Sequence, residues 1–262
     1  MQAFKTNVAE KVIRYLQRYQ FPGYYDWFRD HRERLEKFRN VHAGQDCFLM
    51  GNGPSLNQTD LAALNPFHLF GLNKIHLLLD RVPLRLSYHV CVNPLVIEQS
   101  LEDFRALPCP SFLAYQNCPE QDRRGTAFEF LFSDGAPFCF RETLLEPLSE
   151  GWTVTFVALQ VAYFMGFQRV FLVGVDHSFQ AKGKPNEAQT LEEDDANHFD
   201  PRYFKGQTWQ LPDLEGSEMA YRLAKFYFER DGRQVLDATV NGKLDVFPKL
   251  AFDEAVRLAN AR

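Results

Sequence analysis

Four apolar runs in the chain end in residues that could hold a nucleotide. Cys47-Phe48-Leu49-Met50 leads into Gly51-Asn52-Gly53-Pro54-Ser55-Leu56; a second run ends at Gly71-Leu72-Asn73, a third at Val92-Asn93-Pro94, and a fourth, starting at Val170, at Gly174-Val175-Asp176-His177-Ser178. Gly51 and Gly53 let the backbone approach a ligand, and Ser55 can cap a following helix whose N–H groups then face a phosphate. Asparagine amides donate and accept without carrying charge, so they suit ribose hydroxyls, base edges or a phosphate. Thr153 and Thr155 follow Gly151-Trp152 and add hydroxyls at another helix start, where ordinary capping is the competing explanation. The glycine loop lacks the Gly-Lys-Ser/Thr ending of a Walker loop and is not a Gly-x-Gly-x-x-Gly, so alone it reads equally as a strand-to-helix turn. Its weight comes from Asn73, Asn93, Gly174 and Asp176 at neighbouring strand ends, where open parallel sheets bind their ligands.

A base is also available. Asp194-Asp195-Ala196-Asn197-His198-Phe199-Asp200 sets His198 among carboxylates, two of which, Asp195 and Asp200, could orient its ring. An imidazole there could take a proton from an acceptor hydroxyl near neutral pH. The acidic run could equally be a solvated loop or bind a divalent ion. His177, at a strand end beside Asp176, is the rival base. His198 is preferred because it falls in a long polar stretch, about 183–212, of the length expected for a lid or binding loop.

The elements that must position these groups alternate. Strands are expected at 47–50, 68–72, 88–92, 111–114, 170–173 and 234–236, with helices at about 155–164 and 217–229, the signature of a parallel sheet covered by helices. The fold class is therefore α/β, a Rossmann-like parallel sheet with flanking helices over residues 46–262. Residues 1–45 form an N-terminal helical appendage, two helices over about 7–39 broken at Phe21-Pro22-Gly23. Arg29, His31, Arg32, Arg34, Lys37 and Arg39 cluster on the second of these. A solvated helix packed on the main domain is preferred there over one that touches a membrane surface or a partner.

Composition narrows the class. The 262 residues are 45% hydrophobic and 24% charged, which fits a globular chain able to bury a core, and the 25 Phe read as an aromatic-rich interior. With 29 Lys and Arg against 34 Asp and Glu the net charge is −5, which argues against nucleic acid as the main partner. No apolar run approaches the ~20 residues of a membrane span. The five scattered cysteines form no Cys-x-x-Cys pair, and the first residues lack a secretory h-region, so a cytoplasmic protein with reduced thiols is expected, with peripheral membrane contact and homo-oligomerisation left open.

In order and spacing, Gly51-Asn52-Gly53-Pro54-Ser55-Leu56, Asn73, Asn93, Gly174-Val175-Asp176 and Asn197-His198 resemble the bacterial lipooligosaccharide sialyltransferases and the motility-accessory-factor proteins of flagellin glycosylation. They also resemble the family named after archaeal 6-hydroxymethylpterin diphosphokinase. The resemblance spans about 46–248, and the Gly51 to Leu56 element is its most specific part. The sialyltransferase resemblance implies a CMP-sugar donor held by Gly51, Asn52, Gly53, Pro54, Ser55, Asn73, Asn93 and Asp176, a glycan acceptor, His198 as general base and no required cofactor. Where those enzymes place tyrosines after the Gly-x-Asp, this chain has Ser178 and Phe179, then Lys182 and Lys184, which could steady the donor phosphate instead. The diphosphokinase resemblance implies pyrophosphate transfer from ATP to a pterin-like alcohol, with magnesium on Asp176, Asp194 and Asp195. A third reading is a non-catalytic nucleotide sensor or scaffold whose first helices recruit a glycan-assembly complex.

Overall fold

Short apolar runs separated by helix-length segments build a sheet whose strands are buried on both faces, which is why they read as continuous rather than alternating hydrophobic stretches. The computed structural model describes residues 21–133, 138–179 and 183–261. Within them β1 (Asp46–Met50), β2 (His68–Leu72), β3 (Tyr88–Cys91), β4 (Ser111–Ala114), β5 (Glu129–Leu131) and β6 (Arg169–Val173) are followed by an antiparallel pair, β7 (Ala188–Leu191) and β8 (Gln207–Gln210), and by β9 (Gln234–Asp237). Seven of these form one parallel sheet in the order β5-β4-β3-β2-β1-β6-β9. The chain thus steps outward from β1 to β5, then crosses back to lay β6 on the other side of β1. Loops leaving β1 and β6 part in opposite directions and open a crevice at their carboxyl ends.

Five helices of eight residues or more flank the sheet in the described residues: α1 (Tyr24–Glu36), α2 (Pro94–Arg105), α3 (Val154–Phe164), α4 (Leu214–Arg230) and α5 (Phe252–Asn260). Only Val154 of α3 is not buried, as expected of a helix that is apolar all round, and it packs against β2, β3 and α4. Thr153 caps it by accepting from Thr155 N–H. Asn93 caps α2 ahead of Pro94, and Asp213 caps α4 by accepting from Gly216 N–H at 2.8 Å, which starts that helix three residues before the expected 217.

The sequence pattern missed β5, a three-residue edge strand, and the β7–β8 pair. Residues 183–212, expected as one long loop, contain that pair together with buried Phe199, Tyr203, Phe204 and Trp209. Helix α1 lies on β5, with the Trp27 indole N–H donating to Phe130 O at 2.8 Å. Its basic residues do not form one face. His31 is buried against Tyr115 and Phe130, Arg34 pairs with Glu129, and Arg29 and Arg39 pair with acids on the same segment. The helix expected from about residue 7 lies, up to residue 20, outside the described residues. None of the described helices is long and apolar enough to cross a membrane.

Candidate functional site

The glycine loop after β1 and the Gly174 loop after β6 meet at the crevice. Gly51 N–H donates to Val173 O (2.8 Å) and Gly53 N–H to Gly174 O (2.9 Å). A Cβ on Gly51 would stand 2.3 Å from Gly174 O, and one on Gly53 1.8 Å from Asp176 Oδ2, so both contacts demand glycine. The Asp176 carboxylate accepts from Ser55 N–H (3.1 Å) and Ser55 Oγ (2.6 Å). Burial pushes its pKa up, and the two Ser55 bonds act against that rise.

This arrangement corrects the expected use of Ser55. Residues Pro54–Gln58 form a short 3-10 turn rather than an α-helix, and the N–H and hydroxyl expected to meet a phosphate meet Asp176. Pro54 and Ser55 do not line the pocket, whereas Gly51, Asn52, Gly53, Asn73, Gly174 and Asp176 do. That pocket, about 150 Å³, is also lined by Thr153, Thr155, His177 and His198. The first turn of α3 opens onto it, so its N–H groups are the helix N-terminus available to an anion.

Two features make the pocket the candidate site. The side-chain oxygens of Asn52 and Asn73 are buried and have no hydrogen-bond partner among the described protein groups; a buried acceptor left unsatisfied costs about 1–3 kcal/mol. Three non-glycine residues around it also hold left-handed backbone: Asn73 (φ 47°), Trp152 (φ 59°) and His177 (φ 52°). Asn73 is kept there partly by His89, whose Nε2–H donates to Asn73 O at 2.8 Å; full burial lowers the His89 pKa to about 4, so the ring is a neutral donor.

His198 reaches the same pocket from the segment before β8. Its Nδ1 lies 2.8 Å from Oδ2 of buried Asp195, whose other oxygen accepts from Asn197 N–H (2.9 Å). A carboxylate can only accept, so Nδ1 carries the proton and the Nε2 lone pair is left to act as a base; Nε2 has no hydrogen-bond partner among the described residues. The backbone beside it is pinned to the glycine loop, with Phe199 N–H donating to Asn52 O at 2.9 Å. His177 also lines the pocket, but its Nε2 is 3.1 Å from Glu218 Oε1.

The remaining expected residues go elsewhere. Asn93 spends its oxygen on capping α2 and donates from Nδ2 to Gln210 Oε1 at 3.2 Å, so it lines a second, adjoining pocket of about 260 Å³. Lys184 is exposed beside a third pocket near Asp213, and Lys182 lies outside the described residues. Asp200 pairs with Arg202 and Asp194 with Lys205, so Asp176, Asp194 and Asp195 do not converge on one point. Among the described residues no cluster of three or more His, Cys, Asp or Glu is placed to hold a metal ion. Tyr203, Glu218 and Tyr221 were not read from the sequence as site residues. Tyr203 follows His198 by five positions inside an aromatic run, the one local signal that could have found it.

No protein-family model matches the chain, and no curated protein matches it. Among solved structures it is similar to the MAf glycosyltransferase from Magnetospirillum magneticum AMB-1, with a TM-score of 0.53 and 14% identity over 90% of this chain. The two share a fold. The match takes in 41% of that protein, so this chain spans about two fifths of its length. A remoter likeness, TM-score 0.36 and 12% identity over 80% of this chain and 86% of the other, is to the sialyltransferase CstII from Campylobacter jejuni, solved with a substrate analogue, cytidine-5'-monophosphate.

Proposed function

We propose that the chain is a glycosyltransferase that moves a sugar from a CMP-activated donor to a glycan hydroxyl, with His198 as general base. The observation that carries this reading is the His198–Asp195 pair, aimed into a pocket where Asn52 and Asn73 present unpaired acceptors. Asp176 sits where a carboxylate can accept from ribose hydroxyls, and the first turn of α3 faces the donor phosphate. His198 Nε2 takes the proton as the acceptor oxygen bonds to the anomeric carbon. The bond from that carbon to the phosphate oxygen breaks, and its electron pair leaves with CMP, whose phosphate is already a weak base. Among the described residues no Lys or Arg lines either of the first two pockets, and the helix N-terminus and the threonine hydroxyls are the groups there that can steady the donor phosphate. A thermal-shift panel tests the reading. CMP and CTP should raise the melting temperature; a response to ATP with magnesium alone would point to diphosphate transfer, and no response to any nucleotide would remove the donor site.

A further inference from the structure

We infer that Lys74 is a positioning residue for His198, its buried ammonium tying Tyr203 and the first residue of β8 to the carboxyl end of β2; its part in turnover rests on the glycosyltransferase reading. Lys74 is 3% exposed and lines neither of the first two pockets. It therefore reaches the reacting atoms only through other residues.

An ammonium has three N–H bonds, and three uncharged acceptors take them here. Nζ donates to Tyr203 O (3.0 Å), to Gln99 Oε1 (2.8 Å) and to Gln207 Oε1. Gln99 cannot turn its oxygen away without losing a second bond, because its Nε2 donates to Thr208 O at 2.8 Å. The main chain doubles the tie, with Lys74 N–H donating to the Tyr203 hydroxyl. Phe204 adds its ring, whose centroid is 4.6 Å from Nζ. The end of β2, helix α2 and the start of β8 thus meet on one nitrogen.

The two rings that the ammonium holds, Tyr203 and Phe204, both pack on the His198 imidazole, one stacked and the other edge-on. A neutral amine would keep two N–H bonds for the same three acceptors, so loss of the proton releases one acceptor and the attraction for the rings with it. Burial lowers the Lys74 pKa to about 8, which places that loss a little above neutral pH. Asp195, Asp103 of α2 and Cys91 of β3 face Nζ and favour its charge, while His76, paired with Asp103, opposes Lys74 when protonated. The Tyr203 hydroxyl is pushed well up by burial, so it keeps its proton while Lys74 titrates.

Histidine-ring NMR tests the tie without a substrate. In protein carrying 13C-labelled histidine, the His198 signal, identified by its loss in His198→Ala, should show an inflection near pH 8 besides its own titration. That inflection should vanish in Lys74→Met. It should rise by about one pH unit or more in Gln207→Glu, which keeps the shape and gives the ammonium a carboxylate partner. Hydrolysis of CMP-N-acetylneuraminic acid reads turnover: kcat should fall about tenfold or more in Lys74→Met while calorimetry finds CMP affinity nearly unchanged. The alkaline limb of kcat should move with the NMR inflection in Gln207→Glu. A His198 signal without an inflection between about pH 7 and 9 in the unaltered protein, an inflection that persists in Lys74→Met, or full kcat in that variant overturns the proposal. Where Lys74→Met does not fold, Gln207→Glu decides, and an inflection that stays in place there overturns it equally. If the unaltered protein hydrolyses no CMP-sugar, the glycosyltransferase reading fails, and the NMR comparison still decides whether Lys74 holds the ring.

Discussion

The imidazole of His198 lies flat on the ring of Tyr203, with centroids 4.0 Å apart and planes 4° from parallel. Asp195 fixes one edge of the imidazole and Tyr203 fixes its face, so the ring that lines the pocket is held by the protein itself. Tyr203 is itself anchored. Its hydroxyl accepts from Lys74 N–H (3.2 Å), and Lys74 Nζ donates to Tyr203 O (3.0 Å), to Gln99 Oε1 (2.8 Å) and to Gln207. Burial lowers the Lys74 pKa to about 8, and these acceptors surround it at the carboxyl end of β2. The imidazole is therefore positioned by the sheet through a tyrosine, although it sits in a loop.

Replacing His198 by Ala should lower turnover by roughly 10² to 10⁴ with donor affinity nearly retained, as expected of a group that acts in the transition state. Asp195→Asn should also lower turnover, because the ring loses the partner that fixes its tautomer. Steady-state kinetics with calorimetry of CMP measure both effects. His177→Ala is the control: if that variant is inactive while His198→Ala keeps full turnover, the base is at the strand end.

Asn52→Ala removes a buried acceptor that no described protein group pairs with. Stability should therefore change little or rise, while CMP affinity falls by about 1–3 kcal/mol. Melting curves and calorimetry on the same sample separate the two, and a loss of stability with unchanged affinity would make Asn52 structural.

Gly53→Ala forces a methyl group into the space of the Asp176 carboxylate, where the gap is 1.8 Å. Displacing Asp176 also strips Ser55 of its partner, so the variant should lose stability by about 1–3 kcal/mol and lose nucleotide response with it. Urea denaturation and thermal shift with CMP report both changes.

His89 sets a pH dependence with a definite sign. Its folded pKa is about 4 against 6.5 for the free side chain, so below about 6.5 the unfolded chain binds a proton that the folded chain refuses. Stability is lost as pH falls from 6.5 toward 4, by on the order of 3 kcal/mol from this group alone. Urea midpoints at the two pH values should differ less in His89→Gln than in the unaltered protein; equal differences would show that His89 does not carry the effect.

Nucleotide should slow hydrogen exchange in the outer part of 183–212, where residues 183–188 are exposed, and leave the Phe199 amide protected throughout because it is bonded to Asn52 O. Equal exchange at 183–194 with and without CMP would argue that this segment does not close over the donor.

Most of the parallel sheet was legible in the sequence because a strand buried on both faces must be continuously apolar, as Cys47 to Met50 and Val170 to Val173 are, and each of these short runs stops at a glycine where a buried helix would run on. Gly51 and Gly53 were legible for a related reason: a residue without a Cβ at a strand end announces a close approach. Which atoms approach was not. Ser55 follows those glycines in a sequence that reads as a phosphate loop, yet Asp176, 121 positions away, takes its N–H and hydroxyl once β6 pairs beside β1. Likewise Asp195 and Asp200 flank His198 in the chain, three residues before it and two after, and only the packing of Tyr203 and Arg202 assigns one to the imidazole and the other to an arginine. Local composition determined the elements and the kinds of groups at their ends. Long-range hydrogen bonds, which depend on strand order and on the few ångströms between loops, decided which of those groups face a ligand and which face one another.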